Sequence, residues 1–210
     1  AFTNCPKVTE FKVDKDNVKY KADKGVIFTK VGDELLLYPS GKTGEYTVPE
    51  NTIKIAEFAF SDVLELQKIK IAKTVTTISP SAFKGAKKLK EVDFQTPSQL
   101  KEIGDNAFQL TKLEKITIPS TVNKLGAASF ADIETLKEAH FAAGSQLEEL
   151  PSNLFQNAKE LTKVVFDGTN KLKTIGSSVF FNCSKLETFR VPKTVTTIAS
   201  GAFKGTQELK

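Results

Sequence analysis

Residues 71 to 84 read IAKTVTTISPSAFK, and 120 residues later the chain reads VPKTVTTIASGAFK at 191 to 204. Reuse of a segment at such a distance constrains the chain to an architecture built by stacking copies of one small unit. The copies in between set the period. Phe60, Phe83, Phe108, Phe130, Phe155, Phe180 and Phe203 are separated by 23, 25, 22, 25, 25 and 23 residues. Each follows by five residues an Ile or Leu: Ile55, Ile78, Ile103, Leu125, Leu150, Ile175 and Ile198. A leucine follows each Phe by six residues (Leu66, Leu89, Leu136, Leu161, Leu186, Leu209), or by five in one shortened copy (Leu113).

Beyond that leucine the pattern alternates. Ile69, Val92, Ile116, Ala139, Val164 and Phe189 are each followed two residues later by Ile71, Phe94, Ile118, Phe141, Phe166 and Val191. A two-residue apolar period is that of a strand with one face buried. Each unit therefore holds a short strand, a turn that often carries proline (Pro49, Pro119, Pro192), a second apolar stretch such as VTTI, and an AF turn. A unit this small cannot bury its own apolar side, so neighbours must stack into one continuous core. The expectation is a single solenoid domain over 1–210, with eight strands in one parallel sheet beginning near Phe11, Tyr46, Ile69, Val92, Ile116, Ala139, Val164 and Phe189.

The repeat written I-P-x-T-V-x-x-I-x-x-x-A-F-x-x-x-x-x-L-x-x resembles the BspA-type subclass of leucine-rich repeats, known from surface proteins of host-associated bacteria and parasitic protists such as trichomonads. The resemblance covers nearly the whole chain. It implies a leucine-rich repeat solenoid, curved and right-handed, β-rich with a parallel concave sheet and only short helical or 3-10 turns, conventionally grouped with α/β folds. It also implies a role in adhesion or ligand binding at an extracellular or cell surface.

The first quarter departs from the period. AFTNCPKVTEFKV at 1 to 13 aligns with VFFNCSKLETFRV at 179 to 191, so the chain opens inside a repeat, as it closes inside one at AFKGTQELK. Truncation of a longer array at both ends is expected. Residues 14–45 form a specialised longer repeat, in which GVIFTKVGDELLLYP reads as two apolar runs around a turn at Gly32 and Asp33, a β-hairpin.

Forty per cent apolar and 26% charged residues suit a soluble globular core. No apolar run approaches the roughly 18 residues of a membrane span, and no membrane insertion is expected. The net charge of +5 reads as a solvated face, with no nucleic-acid partner. Cys5 and Cys183 occupy equivalent repeat positions seven strand steps apart, about 34 Å at the ordinary strand spacing, which is beyond disulfide reach. Each is expected to be a small buried apolar residue.

Catalytic and cofactor motifs fail on inspection. SGKTGE at 40–45 ends like a phosphate-binding loop, but Leu36 stands where the first glycine is required. DKDNVKYKADKG from Asp14 begins like a calcium loop, but Val18 and Lys19 occupy positions that need an oxygen ligand and a glycine. The single histidine, His140, has no second His or Cys at metal-ligand spacing and no G-x-S-x-G elbow to serve. No enzymatic activity, metal or cofactor is expected. Asn182 lies in NCS, a glycosylation acceptor sequence in a secreted eukaryotic protein.

A partner would meet the outward strand positions. One column, between the two buried positions of each strand, runs Lys12, Thr47, Lys70, Asp93, Thr117, His140, Val165, Arg190. A second, just before each strand's first buried position, runs Lys68, Glu91, Lys115, Glu138, Lys163 and alternates in sign, which suits register between strands as well as recognition. The candidate partner-binding face is therefore Lys70, Asp93, Thr117, His140, Val165 and Arg190 with Lys68, Glu91, Lys115, Glu138 and Lys163. The expected partner is a protein, such as a host-cell or extracellular-matrix protein. A structural spacer that holds other domains away from a surface is the second reading.

Overall fold

A computed structural model describes residues 5–210; the equivalence of Phe2 with Phe180 lies outside them. The described residues wind into a β-solenoid of about 7 turns with parallel sheets and, among them, no helix. It opens with a meander of β1 (Tyr20–Asp23), β2 (Val26–Thr29) and β3 (Glu34–Leu37). β1 pairs antiparallel with β2, and β2 with β3 around the turn at Gly32 and Asp33.

From there each turn contributes one longer and one two-residue strand, except the last, which contributes only a two-residue strand. The longer strands are β4 (Gly44–Thr47), β6 (Leu66–Ile71), β8 (Glu91–Phe94), β10 (Lys115–Ile118), β12 (Glu138–Phe141) and β14 (Lys163–Phe166). The two-residue strands are β5 (Lys54–Ile55), β7 (Thr77–Ile78), β9 (Glu102–Ile103), β11 (Lys124–Leu125), β13 (Glu149–Leu150), β15 (Thr174–Ile175) and β16 (Thr197–Ile198). The second apolar stretch thus forms a wall of its own, in two sheets that part between β11 and β13. It runs β3-β5-β7-β9-β11 and then β13-β15-β16.

The expectation of eight strands in one concave sheet needs correction. Six strands form two three-stranded parallel sheets, β4-β6-β8 and β10-β12-β14. Residues 11–13 and 189–191 form no strand, and only a single bridge, Lys163 to Thr188, joins β14 to the next turn. Loop length accounts for the interruptions. Seven residues (95–101, 142–148, 167–173) follow β8, β12 and β14, whereas five (72–76, 119–123) follow β6 and β10, and five (192–196) precede β16. The concave ladder is lost only where a seven-residue turn is followed by a five-residue one, at β8 to β10 and beyond β14. Along β8, Val92 and Phe94 are consequently half-buried, as is Phe166 in β14, although their pattern is that of core residues.

A third wall closes the coil. Each AF turn holds two residues in the left-handed region, two before and two after the Phe: Ser81 and Gly85, Asn106 and Leu110, Ala128 and Asp132, Asn153 and Asn157, Ser178 and Asn182. Alternating these conformations points successive N–H groups along the solenoid axis. Phe83 N–H donates to Ala107 O at 2.7 Å, Phe108 to Ser129 O at 2.8 Å and Phe155 to Val179 O at 2.9 Å. The flanking left-handed residues donate in the same direction, as Asp132 does to Gln156 O at 2.7 Å.

Inside, the phenylalanines stack in one file. Ring centroids of Phe60, Phe83, Phe108, Phe130, Phe155, Phe180 and Phe203 follow one another at 4.7, 4.9, 5.3, 6.0, 5.9 and 5.2 Å. Tyr38 extends the file at 4.8 Å from Phe60. Cys183 is fully buried as expected, while Cys5 is only half-buried.

Candidate interaction face

Every residue of the two predicted columns faces outward, but the sheet break divides them. Lys70 sits opposite Asp93 in the β6–β8 ladder. Thr117, His140 and Val165 are consecutive register partners across β10, β12 and β14. Neither ladder reaches Arg190, and none links Asp93 to Thr117. The candidate residues therefore form one short group, one longer group and an outlying arginine, instead of one continuous stripe.

The second column is largely occupied by its own pairing. Lys68 Nζ lies 2.6 Å from Glu91 Oε1, and Lys115 Nζ lies 2.9 Å from Glu138 Oε2. Hydrogen bonding to Glu91 raises the Lys68 pKa, and the Lys115 hydrogen bond, helped by His140, holds Glu138 below the usual carboxylate value. Lys163, the last member, has no ion pair among the described residues.

His140 is less exposed than its outward position suggests. Its Nε2 is 3.1 Å from Glu138 Oε2 and its Nδ1 is 3.6 Å from Asp167 Oδ2, leaving 17% of the side chain accessible. The ring is bracketed by two carboxylates on its own sheet. Among the described residues no group of three or more His, Cys, Asp or Glu could hold a metal ion, and no helix is long and apolar enough to cross a membrane.

Two clefts, absent from the sequence reading, open at the sheet breaks. One of about 840 Å³ lies between β8 and β10, lined among others by Val92, Phe94, Pro97, Pro119 and Thr121. The other, about 720 Å³, lies between β14 and residues 188–194, lined by Val164, Phe166, Thr169, Arg190, Val191 and Lys193 among others. The difference in turn length was present in the sequence and is the signal that marks both. The surface away from the two columns is repetitive by comparison. Glutamate–lysine pairs join successive turns there at 2.7 to 2.9 Å, as in Glu65–Lys88, Glu102–Lys124, Glu134–Lys159, Glu148–Lys173 and Glu160–Lys185.

The model of the BspA type leucine rich repeat region matches residues 38–137 and 94–210, in six copies. The chain belongs to this family. Among solved structures, a leucine-rich repeat protein from Eubacterium ventriosum is 27% identical, with a TM-score of 0.73 over 98% of this chain and 54% of that one. The pneumococcal vaccine antigen PcpA is 25% identical, with a TM-score of 0.65 over 92% of this chain and 46% of that one. A leucine rich cell surface protein from Faecalibacterium prausnitzii, 22% identical with a TM-score of 0.71 over 80% and 44% of the two chains, shares the fold. The present BspA-type chain spans about half the length of these proteins. No curated protein matches its sequence.

Proposed function

We propose that this BspA-type solenoid is an extracellular or cell-surface module that binds a protein partner on its concave face. One observation carries the reading: the outward concave column changes chemistry at every turn, through Lys70, Asp93, Thr117, His140, Val165 and Arg190, on a scaffold made rigid by ladders on three walls. The rest of the surface repeats itself in KTVTTI copies and regular Glu–Lys pairs, which suit register and solubility better than position-specific recognition. Repeat proteins use such varied, extended faces for protein partners. A surface setting is favoured by the family's occurrence in surface proteins and by the likeness to a vaccine antigen.

Reversing the charge of Lys70, Asp93 and Arg190 together is expected to weaken binding to a host-cell or matrix protein, with circular dichroism and melting temperature nearly unchanged. The same number of reversals on the opposite face is expected to do little. A spacer role is favoured by one feature, the self-paired second column. Equal binding by both variants would favour that role and end the concave-face reading.

A further inference from the structure

The two clefts sit at equivalent breaks but differ in charge. We propose that the cleft between β14 and residues 188–194 takes an extended acidic peptide segment of a protein partner, a proposal that rests on the concave-face reading. Its charged lining residues are Lys163, Arg190 and Lys193, all cations and all exposed, with no carboxylate among them. Asp167 and Glu187, the acids adjacent in sequence, are not part of the lining; Asp167 turns instead to His140, and Glu187 forms no ion pair with the cleft lysines. On the same turns Lys159, Lys173 and Lys185 are each neutralised by a glutamate at 2.7, 2.9 and 2.8 Å. The three cleft cations have no ion pair among the described residues, so their field falls on the cleft.

Backbone and apolar features favour a peptide over a polyanionic sugar. Beyond the one bridge at Lys163 and Thr188, the β14 edge facing the cleft carries no ladder, and an incoming extended chain can add its main chain there. Side chains of such a strand alternate. One set of acids would meet Lys163, Arg190 and Lys193, while the apolar set would rest on Phe166 and on Val191, which is 45% exposed. A sugar polymer has no backbone amides to continue a sheet. The cleft at β8 and β10 lacks the charge bias, because Glu91, Asp93 and Glu114 offset Lys90 and Lys115, and it serves as an internal control.

The test uses the whole chain and a fluorescein-labelled peptide of alternating Glu and Val, with a Lys-Val peptide and a sulfated polysaccharide as comparisons, read by anisotropy at about 0.15 M salt. The Glu-Val peptide should bind, the Lys-Val peptide should not, and amide NMR shifts should centre on Val165, Thr169 and Thr194. K163E/R190E/K193E should weaken binding roughly tenfold or more, and the neutral K163Q/K193Q should weaken it less while keeping the native spectrum. Reversals at Lys90 and Lys115 should leave it unchanged. Undiminished binding by both cleft variants, shifts centred on the other cleft, or cation-dependent binding of the polysaccharide alone would overturn the proposal. Loss of protein-partner binding on reversing Lys70 and Asp93, without any effect of the cleft variants, would overturn it while leaving the concave-face reading intact.

Discussion

Among the AF turns, Leu110 and Phe58 are the two residues that fit their backbone least. Both have positive φ, 62° and 58°, at positions where other turns place Asn, Asp, Ser, Gly or Ala, and both are about half exposed, at 46% and 50%. An ordinary side chain in the left-handed region costs about 1–2 kcal/mol, a cost that Asn largely escapes. Leu110→Asn should therefore raise unfolding free energy by up to about 1 kcal/mol in a urea titration, the relieved backbone cost exceeding what the half-exposed side chain loses in burial. Unchanged or lower stability would show that Leu110 makes compensating contacts. Phe108 is the opposite case, fully buried between two stacked rings. Phe108→Ala should cost about 3–5 kcal/mol, measured the same way, and a loss below 1 kcal/mol would refute a shared aromatic file. The file was legible because large rings recurred at a fixed offset from Ile or Leu. Tyr38 escaped notice because the insertion at 14–45 hides its place in the frame. The left-handed sites escaped because small polar residues in a turn have many uses, and only the geometry shows them aiming N–H groups at the next coil. Burial also explains Cys183: its thiol pKa is pushed up to about 12, which leaves it unreactive near neutral pH.

At the scale of elements, successive turns are tied by side chains as well as by backbone. The alternating column was readable from sequence, and two of its pairs form, Lys68–Glu91 and Lys115–Glu138; Glu91 and Lys115 make no pair with each other across the sheet break. Further glutamate–lysine pairs away from that column were not anticipated, because their partners stand 20 to 25 residues apart on separate turns. Lysine hydrogen bonds hold Glu134, Glu138 and Glu148 below the ordinary carboxylate value of 4.5. A carboxylate whose folded pKa is depressed contributes stability above its unfolded value and loses it as pH falls through the folded one. The melting temperature should therefore hold from neutrality down to about pH 4.5 and decline below it. Because the pairs are exposed, the acid-sensitive part should shrink at about 1 M salt. A decline that begins well above pH 5, or one indifferent to salt, would assign the acid response to other groups. Asn182 joins a related chain of amides, with Nδ2 donating to Asn157 Oδ1 at 3.1 Å and Asn157 Nδ2 to Asp132 Oδ1 at 2.7 Å.

For the whole molecule, period and core were legible because one short frame recurs at nearly constant spacing. Sheet continuity was not, because the frame records which residues are buried and leaves aside how far each turn must travel between its two strands. Residues 95–101 and 119–123 differ by two positions, enough to leave one coil's corner without a matching corner on the next. If that mismatch opens the break, matching the turns should close it. Inserting Gly-Ser between Ser120 and Thr121 makes the second turn seven residues long, the arrangement found at β12 and β14, where four register pairs form. Exposed turns accept such insertions at little entropic cost. Amides along β10 should then gain hydrogen-exchange protection, and the cleft at Phe94, Pro97 and Pro119 should narrow. Removing two residues from 142–148 without altering either strand is the control: it makes the turn after β12 as short as the one after β10 and leaves the seven-residue turn at 167–173 in place. Under the rule that only a seven-to-five step breaks the ladder, this deletion should leave both neighbouring ladders paired, so any loss of protection along β12 must come from strain in the shortened turn. Gain in protection at β10 with the insertion, together with retained protection at β12 with the deletion, is the expected pair of results; β10 amides that exchange as fast as before would place the cause of the break in the strands themselves.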